Sequence, residues 1–408
     1  MLVVVDQGLV SAGNFALTAS VARLLPLSDF GRYMLIMTVV WLFTDLQVAT
    51  VTGPYTINRP KLTAARRGPF FGSIVLHQGV VLMAAMLAAA MTAGTQSGAP
   101  GGSAITVVAA AALSVVGLLI RDQMRRLFIV HQQLVDCLKY DGVVLALHGT
   151  AVLAGVASGH FSLVWAYGSA AFACAIPSLH WLRRLGPVHR RPTLAWRHWK
   201  LNWGVGKWMV LSGVMWSLAT YLYPWTITAA HGTTETGLWA AALGLSSLCN
   251  VPLGGLQNHY AVRIAAASTA DLGGEVLGSA VRLAGLAFCF VVLFALVGGQ
   301  LMGLLYGDRF VPAAPLTTLM AMNLLVGSVS FCVSRGLFAI GRGGADCTVN
   351  TVPLMVFVVC GAWATVSFGP LGAVASFLAS NVVALAFRAA VLRRALAHRP
   401  VVTSVRSP

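Results

Sequence analysis

Acidic residues are scarce in this chain of 408. Eleven Asp and Glu stand against 27 Lys and Arg, and the four charged types together make up only 9% of the sequence. Soluble domains carry about 25% charged residues, so a surface this poor in charge excludes a water-solvated globule. The seven cysteines (Cys137, Cys174, Cys249, Cys289, Cys332, Cys347 and Cys360) form no CxxC pair and lie mostly in apolar runs. They read as small core residues, not as disulfides or metal ligands. The ten histidines show no HxxxH or HExxH spacing, so no metal site is expected. Long loops are absent as well. A glycan polymerase or a lipid-linked glycosyltransferase would need a sizeable charged outer loop, so no enzyme is expected.

What the chain has is apolar runs. Apolar residues make up 58% and the mean hydropathy is +0.80. A spanning helix needs about 20 mostly apolar residues. Twelve segments qualify: 5–23, 33–53, 70–93, 104–121, 140–157, 161–182, 207–229, 238–260, 278–299, 314–334, 350–368 and 371–392. The fold class is therefore an all-α polytopic membrane protein of about twelve transmembrane helices. Short turns such as "TQSGAPGGS" and "HGTTETG" separate them. The opening "MLVVVDQGLV" has no basic n-region and no small-residue cleavage site, so it reads as the start of a span and not as a signal peptide. A short basic leader, or a different start, is expected ahead of it.

The basic residues orient the array. The connections after every even-numbered segment, together with the C-terminal tail, hold 24 of the 27 Lys and Arg; only Arg23, Arg32 and Arg309 fall on the other side. Positive-inside bias places the even connections and the C-terminus in the cytoplasm of a cytoplasmic (inner) membrane, and the N-terminus there by parity. The net charge of +16 is thus an orientation signal with anionic lipid contact, and no nucleic-acid partner is expected.

The longest basic stretch, "RRLGPVHRRPTLAWRHWKLNW", places Trp196, Trp199 and Trp203 at i, i+3 and i+7 with Arg197 and Lys200 between them. That is an interfacial helix with an aromatic and a basic face. It divides the chain into a six-helix bundle (1–182), a basic linker (183–206) and a second six-helix bundle with the tail (207–408). The halves also repeat weakly. "LVSAGNFALTASVA" resembles "VLSGVMWSLATYLY", and "DFGRY" resembles "ETGLW". Parallel repeats of this kind are a transporter habit.

Polar groups at membrane depth should face a cavity or a neighbouring helix. In the first segment Gln7, Ser11, Asn14 and Thr18 form one stripe at i, i+4, i+7 and i+11. In the second, Thr38, Trp41, Asp45 and Thr52 share a face. Ser212, Trp216, Thr220 and Tyr223 do so in the seventh, and Ser246, Asn250, Gly254 and Gln257 in the eighth. The simplest arrangement lets these four helices line a hydrated cavity; the alternative is that their Ser, Thr and Asn hydrogen-bond helices together. Asp141 and His148, at i and i+7, are either a proton-linked pair or plain interhelical bonds. Asp6 lies beside the first stripe. Among the cations, Arg23 ends the first segment, Arg59 follows the second, Arg121 ends the fourth, Arg263 follows the eighth and Arg335 ends the tenth. Guanidinium groups bind phosphate bidentately, so such a rim suits an anionic headgroup, unless most of these arginines merely snorkel to the cytoplasmic surface, an alternative that Arg23, on the charge-poor side, escapes.

The stretch "DQGLVSAGNFALTASVARLLPLSDFGRYML" resembles the opening of the polysaccharide repeat-unit flippases, the polysaccharide transporter branch of the superfamily that includes MATE exporters. The pattern is carried by Asp6 and Gln7, Ser11 to Phe15, Ala22 to Leu25, and Phe30 to Tyr33. "RDQMRRLFIVHQQLVDCLKYD", "LLYGDRFVPAAPL" and "GPLGAVASFLASNVVALAFR" are similar too. The resemblance implies two six-helix bundles, a central cationic cavity and alternating access. It also implies an undecaprenyl-diphosphate-linked oligosaccharide as substrate, with glycan polymerase and glycosyltransferases as partners beside membrane lipids. No cofactor is expected beyond H⁺ or Na⁺ coupling. The competing expectation is a MATE-type cation-coupled drug or metabolite exporter.

Overall fold

The apolar runs fold as helices because lipid offers no partner to a free backbone N–H or C=O. In the computed structural model, which describes residues 2–96, 102–182, 192–268 and 270–397, all regular structure is helical. We number the helices α1 (Leu2–Leu24), α2 (Leu27–Gln47, continuing through a π turn at Val48–Thr52 to Lys61), α3 (Ala64–Gln96), α4 (Gly102–Val130), α5 (Leu134–Ala157) and α6 (Leu163–Leu182). The second half holds α7 (192–231), α8 (233–247, then Asn250–Ala266), α9 (Leu272–Tyr306), α10 (Ala314–Ala339), α11 (343–368) and α12 (370–397).

Two of these divisions rest on single glycines. Unbroken, the 56 residues of Pro192–Ser247 would reach about 84 Å at 1.5 Å per residue, far more than a bilayer spans. Gly232 at φ 85° ends α7 and Gly369 at φ 61° ends α11; at both the backbone enters a region that side chains with a Cβ avoid. Eight helical stretches are long and apolar enough to cross a membrane, and the two arms of the bent pair Met209–Ser247 and Asn250–Ala266 make a ninth, with 48° between them. That bend lies in α8, next to Pro252. Divided at the two glycines, these nine stretches make eleven helices; with α1 they are twelve, in two six-helix bundles, and each expected segment falls on one of them.

The helices overrun their apolar segments at one end. α3 begins at Ala64 and α4 runs to Val130, so Arg66, Arg67, Arg125 and Arg126 extend helices past their apolar runs. We call the side carrying the even-numbered connections the basic end.

The two bundles meet unevenly. α2 and α7 lie together along most of their length. Trp225 Nε1 donates to Thr38 Oγ1 (3.0 Å), Ser217 Oγ to Asp45 Oδ2 (2.6 Å), and Asn58 Nδ2 to Asn202 Oδ1 (3.2 Å). Away from the basic end the halves are shut. Gly31 of α2 crosses Gly237 of α8, and a Cβ on Gly237 would come within 2.6 Å of the Leu27 carbonyl oxygen. Phe30 meets Phe310 edge-on (5.7 Å) and Phe15 meets Tyr306 (6.0 Å). Arg309 donates to the carbonyls of Ala22 (2.5 Å) and Arg23 (2.9 Å), capping α1 from the other bundle. Towards the basic end, Asn250–Ala266 packs on α9 and α10 but not substantially on α1. α1 and this arm of α8 therefore stand apart at the basic end, and we call the gap between them, shut at the far end, the cleft.

Candidate functional site

A buried ion network sits at the edge of that cleft. α4 ends in a run of arginines because the chain leaves its apolar segment there, and α5 returns with Asp141 two turns into its own helix. Asp141 is fully buried and takes two guanidinium groups: Arg121 at 3.2 Å and Arg125 at 2.6 Å. Arg125 reaches on to Asp6 of α1 at 3.0 Å. Arg121 Nη1 also donates to Asn14 Oδ1 (3.0 Å). Three helices are thus bound through two arginines and two carboxylates, whose charges cancel. Ion pairing offsets the cost of burying each charge. The carboxylates of Asp6 and Asp141 and the Cys137 thiol lie within 4.8 Å of one another. A cation there would have to displace Arg125, which already bridges both carboxylates. Asp6 Oδ1 is buried without a hydrogen-bond partner.

A second network in the other bundle carries the same chemistry. Arg388 of α12 donates to Asp346 Oδ1 (2.7 Å), to Ser330 Oγ (2.7 Å) and to Asn350 Oδ1, and Ser334 donates to Asp346 Oδ2 (3.0 Å). Sequence reasoning counted Arg388 only as a basic residue of the tail. The signal was there: Arg388 lies inside the segment 371–392, and a charge inside an apolar span calls for a partner. A third chain crosses α3, α2 and α4. Gln78 donates to Gln47 (2.7 Å), Gln47 to Asp122 (3.0 Å), and Arg126 to Asp122 (2.6 Å). Here polar groups do hold helices together.

The remaining residues singled out from the sequence divide as follows. Asn14 is exposed, and Ser11 and Thr18 are half-buried on α1; the side chain of Gln7 lies outside the described residues, as does that of Ser212. Arg23 is exposed at the far end. Asp45 is bound by Ser217 across the bundle interface. Thr220 donates to the carbonyl of Trp216 one turn back (3.0 Å), and Trp216 is exposed near Phe377. Asn250 is exposed where α8 resumes, and Gln257 is half-buried. Arg263 pairs with Glu275 at 3.0 Å, and Arg335 stacks on Phe331 (4.9 Å) and Phe338. His148 is buried two turns beyond Asp141; Asp141 turns instead to the arginines. Of the rim arginines, Arg121 and Arg263 are thus matched by carboxylates, whereas Arg23, Arg59 and Arg335 have none among the described residues.

At the basic end Tyr55 Oη lies 2.9 Å from His131 Nε2. Burial, with a lesser contribution from the Arg59 guanidinium, pushes the His131 imidazole down to about 4. The unfolded chain therefore binds a proton that the folded chain refuses. The stability this gives is complete above pH 6.5 and is lost as pH falls from about 6.5 towards 4. Thermal denaturation in detergent should show that acid-side loss. In His131→Gln it should be smaller; an unchanged pH profile would assign it to other groups.

No family profile matches the chain, and no curated protein matches it by sequence. Solved structures do. An inward-facing conformation of a multidrug resistance MATE family transporter of the MOP superfamily aligns with a TM-score of 0.74 at 14% identity, over 96% of both chains. The lipid II flippase MurJ, in an inward closed conformation, aligns with a TM-score of 0.73 at 9% identity, over 96% of this chain and 88% of that one. An outward-facing conformation of a multidrug resistance MATE family transporter scores 0.60 at 16% identity, over 97% and 93%. The chain has the fold of these transporters.

Proposed function

We propose that this multi-pass membrane protein is a flippase that carries undecaprenyl-diphosphate-linked oligosaccharide repeat units across the cytoplasmic membrane, for surface polysaccharide synthesis. The observation that carries the reading is the one-sided cleft between α1 and α8. A lipid-linked sugar must bring its headgroup through the protein while its tail stays in the bilayer, and a lateral gap between two spans permits both. In this reading the basic end is cytoplasmic, so the cleft opens inward, and parting of the far-end contacts opens it outward. The better match to the inward-facing than to the outward-facing MATE structure agrees with that state. In this reading the exposed Asn14 and Asn250 donate to a diphosphate or sugar hydroxyls, and Asp6 and Asp141 are the groups whose protonation, or exchange of Arg125 for Na⁺, would couple movement to an ion gradient.

A second reading, a MATE-type cation-coupled exporter of drugs or metabolites, draws on the same fold and on a specific observation: two of the five rim arginines, Arg121 and Arg263, are already neutralised by carboxylates, so the net pull on an anion is reduced. Vesicles containing the full chain separate the two. Fluorescent lipid-linked oligosaccharide should move from one leaflet to the other, while a cationic dye should not be pumped along a proton or sodium gradient. Dye transport without lipid movement would sink the flippase reading.

A further inference from the structure

On α2, α3 and the start of α7, six cations at the basic end have no carboxylate partner among the described residues: Arg59, Lys61, Arg66, Arg67, Arg197 and Lys200. At the same end the acids Asp122 and Glu275 answer Arg126 and Arg263. Here none is at hand, because residues 53–73 and 192–234 contain no Asp or Glu at all. All but the half-buried Arg59 are exposed.

Tertiary structure brings the six together from three elements. The first residues of α7, 192–206, are held against α2 and α3. His198 Nδ1 lies 2.7 Å from Ser73 Oγ, and its ring meets Phe70 edge-on at 5.1 Å. His77 Nε2 lies 2.9 Å from the Ala195 carbonyl oxygen, and Asn58 donates to Asn202. Phe70 is one helical turn from Arg66 and Arg67, and His198 adjoins Arg197. Arg59 is near His131, whose imidazole is neutral at physiological pH and adds no charge. Beside the cations lies an apolar surface that water would not favour. Trp196 is 63% exposed, Leu201 50% and Trp203 43%, and Lys200 Nζ stands 5.7 Å from the Trp196 ring centroid.

We propose that this joint of α2, α3 and the start of α7 is a binding site for an anionic phospholipid of the adjoining leaflet. The partner must present phosphate to clustered guanidinium groups and apolar chain to tryptophan at a membrane surface. A free phosphate or a nucleic acid answers the first demand and leaves Leu201 and the tryptophans in water. A phospholipid answers both and is supplied by the bilayer. A lipid bound there would bridge the first bundle to the chain entering the second. The leaflet follows from the orientation read above, but binding itself depends on neither that orientation nor the transported substrate.

The test is native mass spectrometry of the full chain in a neutral detergent, titrated with phosphatidylglycerol or phosphatidylcholine. Phosphatidylglycerol should be retained in preference. Removing one surface cation should weaken retention roughly five-fold, so the triple variant Arg59→Gln, Arg67→Gln, Arg197→Gln should lose about a hundred-fold. The charge-matched triple Arg282→Gln, Arg342→Gln, Arg393→Gln removes exposed arginines from the basic end of the second bundle and should lose little. Trp196→Ala with Trp203→Ala, which leaves the charge intact, should also weaken retention. Equal retention of the two lipids, equal loss in both triples, or full displacement by inorganic phosphate or an oligonucleotide would overturn the site. Any of these results leaves the transport reading standing, and failure of lipid movement in vesicles leaves the site standing.

Discussion

Asp141→Ala should be among the most damaging single substitutions in the chain. It removes the one carboxylate that both Arg121 and Arg125 share, leaving Arg125 with Asp6 and Arg121 with no carboxylate. Breaking a buried ion pair by deleting one partner costs about 3–5 kcal/mol, because the other charge stays buried and unpaired. The three helices that meet there, α1, α4 and α5, should loosen together. Thermal or denaturant unfolding of the purified chain measures the loss. The double variant Asp141→Ala, Arg121→Met should recover a large part of it, since the second change removes the stranded charge and leaves the Arg125–Asp6 pair intact. If the double variant is no more stable than the single one, the two residues are not energetically coupled and the network is not what holds the bundle.

Gly31→Ala should open the far end. A Cβ at Gly31 would overlap the Thr233 carbonyl oxygen and lie 2.8 Å from its carbon and 3.2 Å from the Gly237 nitrogen. These are backbone atoms of α8, so no side-chain rotation relieves the clash; the two helices must part. Overpacking of this kind costs about 1–3 kcal/mol, and the cost falls on the closed arrangement alone. Spin labels at Ser158 and Ser367, exposed turns at the far ends of the two bundles, report the change in a variant lacking the seven native cysteines. The distance between them should lengthen in Gly31→Ala and stay constant in Gly149→Ala, where a Cβ meets nothing within 4 Å. Arg309→Ala, which removes hydrogen bonds without adding bulk, should move it less. An unchanged distance in Gly31→Ala would mean that the Gly31–Gly237 crossing does not hold the far end shut.

The sequence reading and the structure diverge most over charged groups. The polar stripe of α1 was visible in the spacing of Ser11, Asn14 and Thr18, but the partner of Asn14 was not, because Arg121 is 107 residues away. Helical spacing allowed Asp141 either a proton link to His148 or plain interhelical bonds, and the bonds it makes are interhelical. That spacing puts two residues on one face, and in the folded protein the face of Asp141 meets α4, whose Arg121 and Arg125 pair with its carboxylate. Asp45 was read as cavity-lining, and its hydrogen-bond partner Ser217, 172 residues away, was not visible in the sequence. Gln78 and His77 lie within an apolar run, yet Gln78 joins the chain to Asp122 and His77 holds the start of α7.

Composition and hydrophobic run length by themselves determined that this chain crosses a membrane about twelve times, and the repeat of polar features marked two halves. Those are local properties: a run of apolar residues in lipid must close its own backbone hydrogen bonds, whatever surrounds it. Tertiary structure alone decided which arginines are free and which are neutralised, that the halves are shut at one end and parted at the other, and that six unpaired cations from three elements share one surface. Each of these depends on groups distant in sequence that packing makes adjacent. Electrostatic energy is set by separation in space, and in this chain the spacing of residues along a helix predicted the shared face but not the charge across from it.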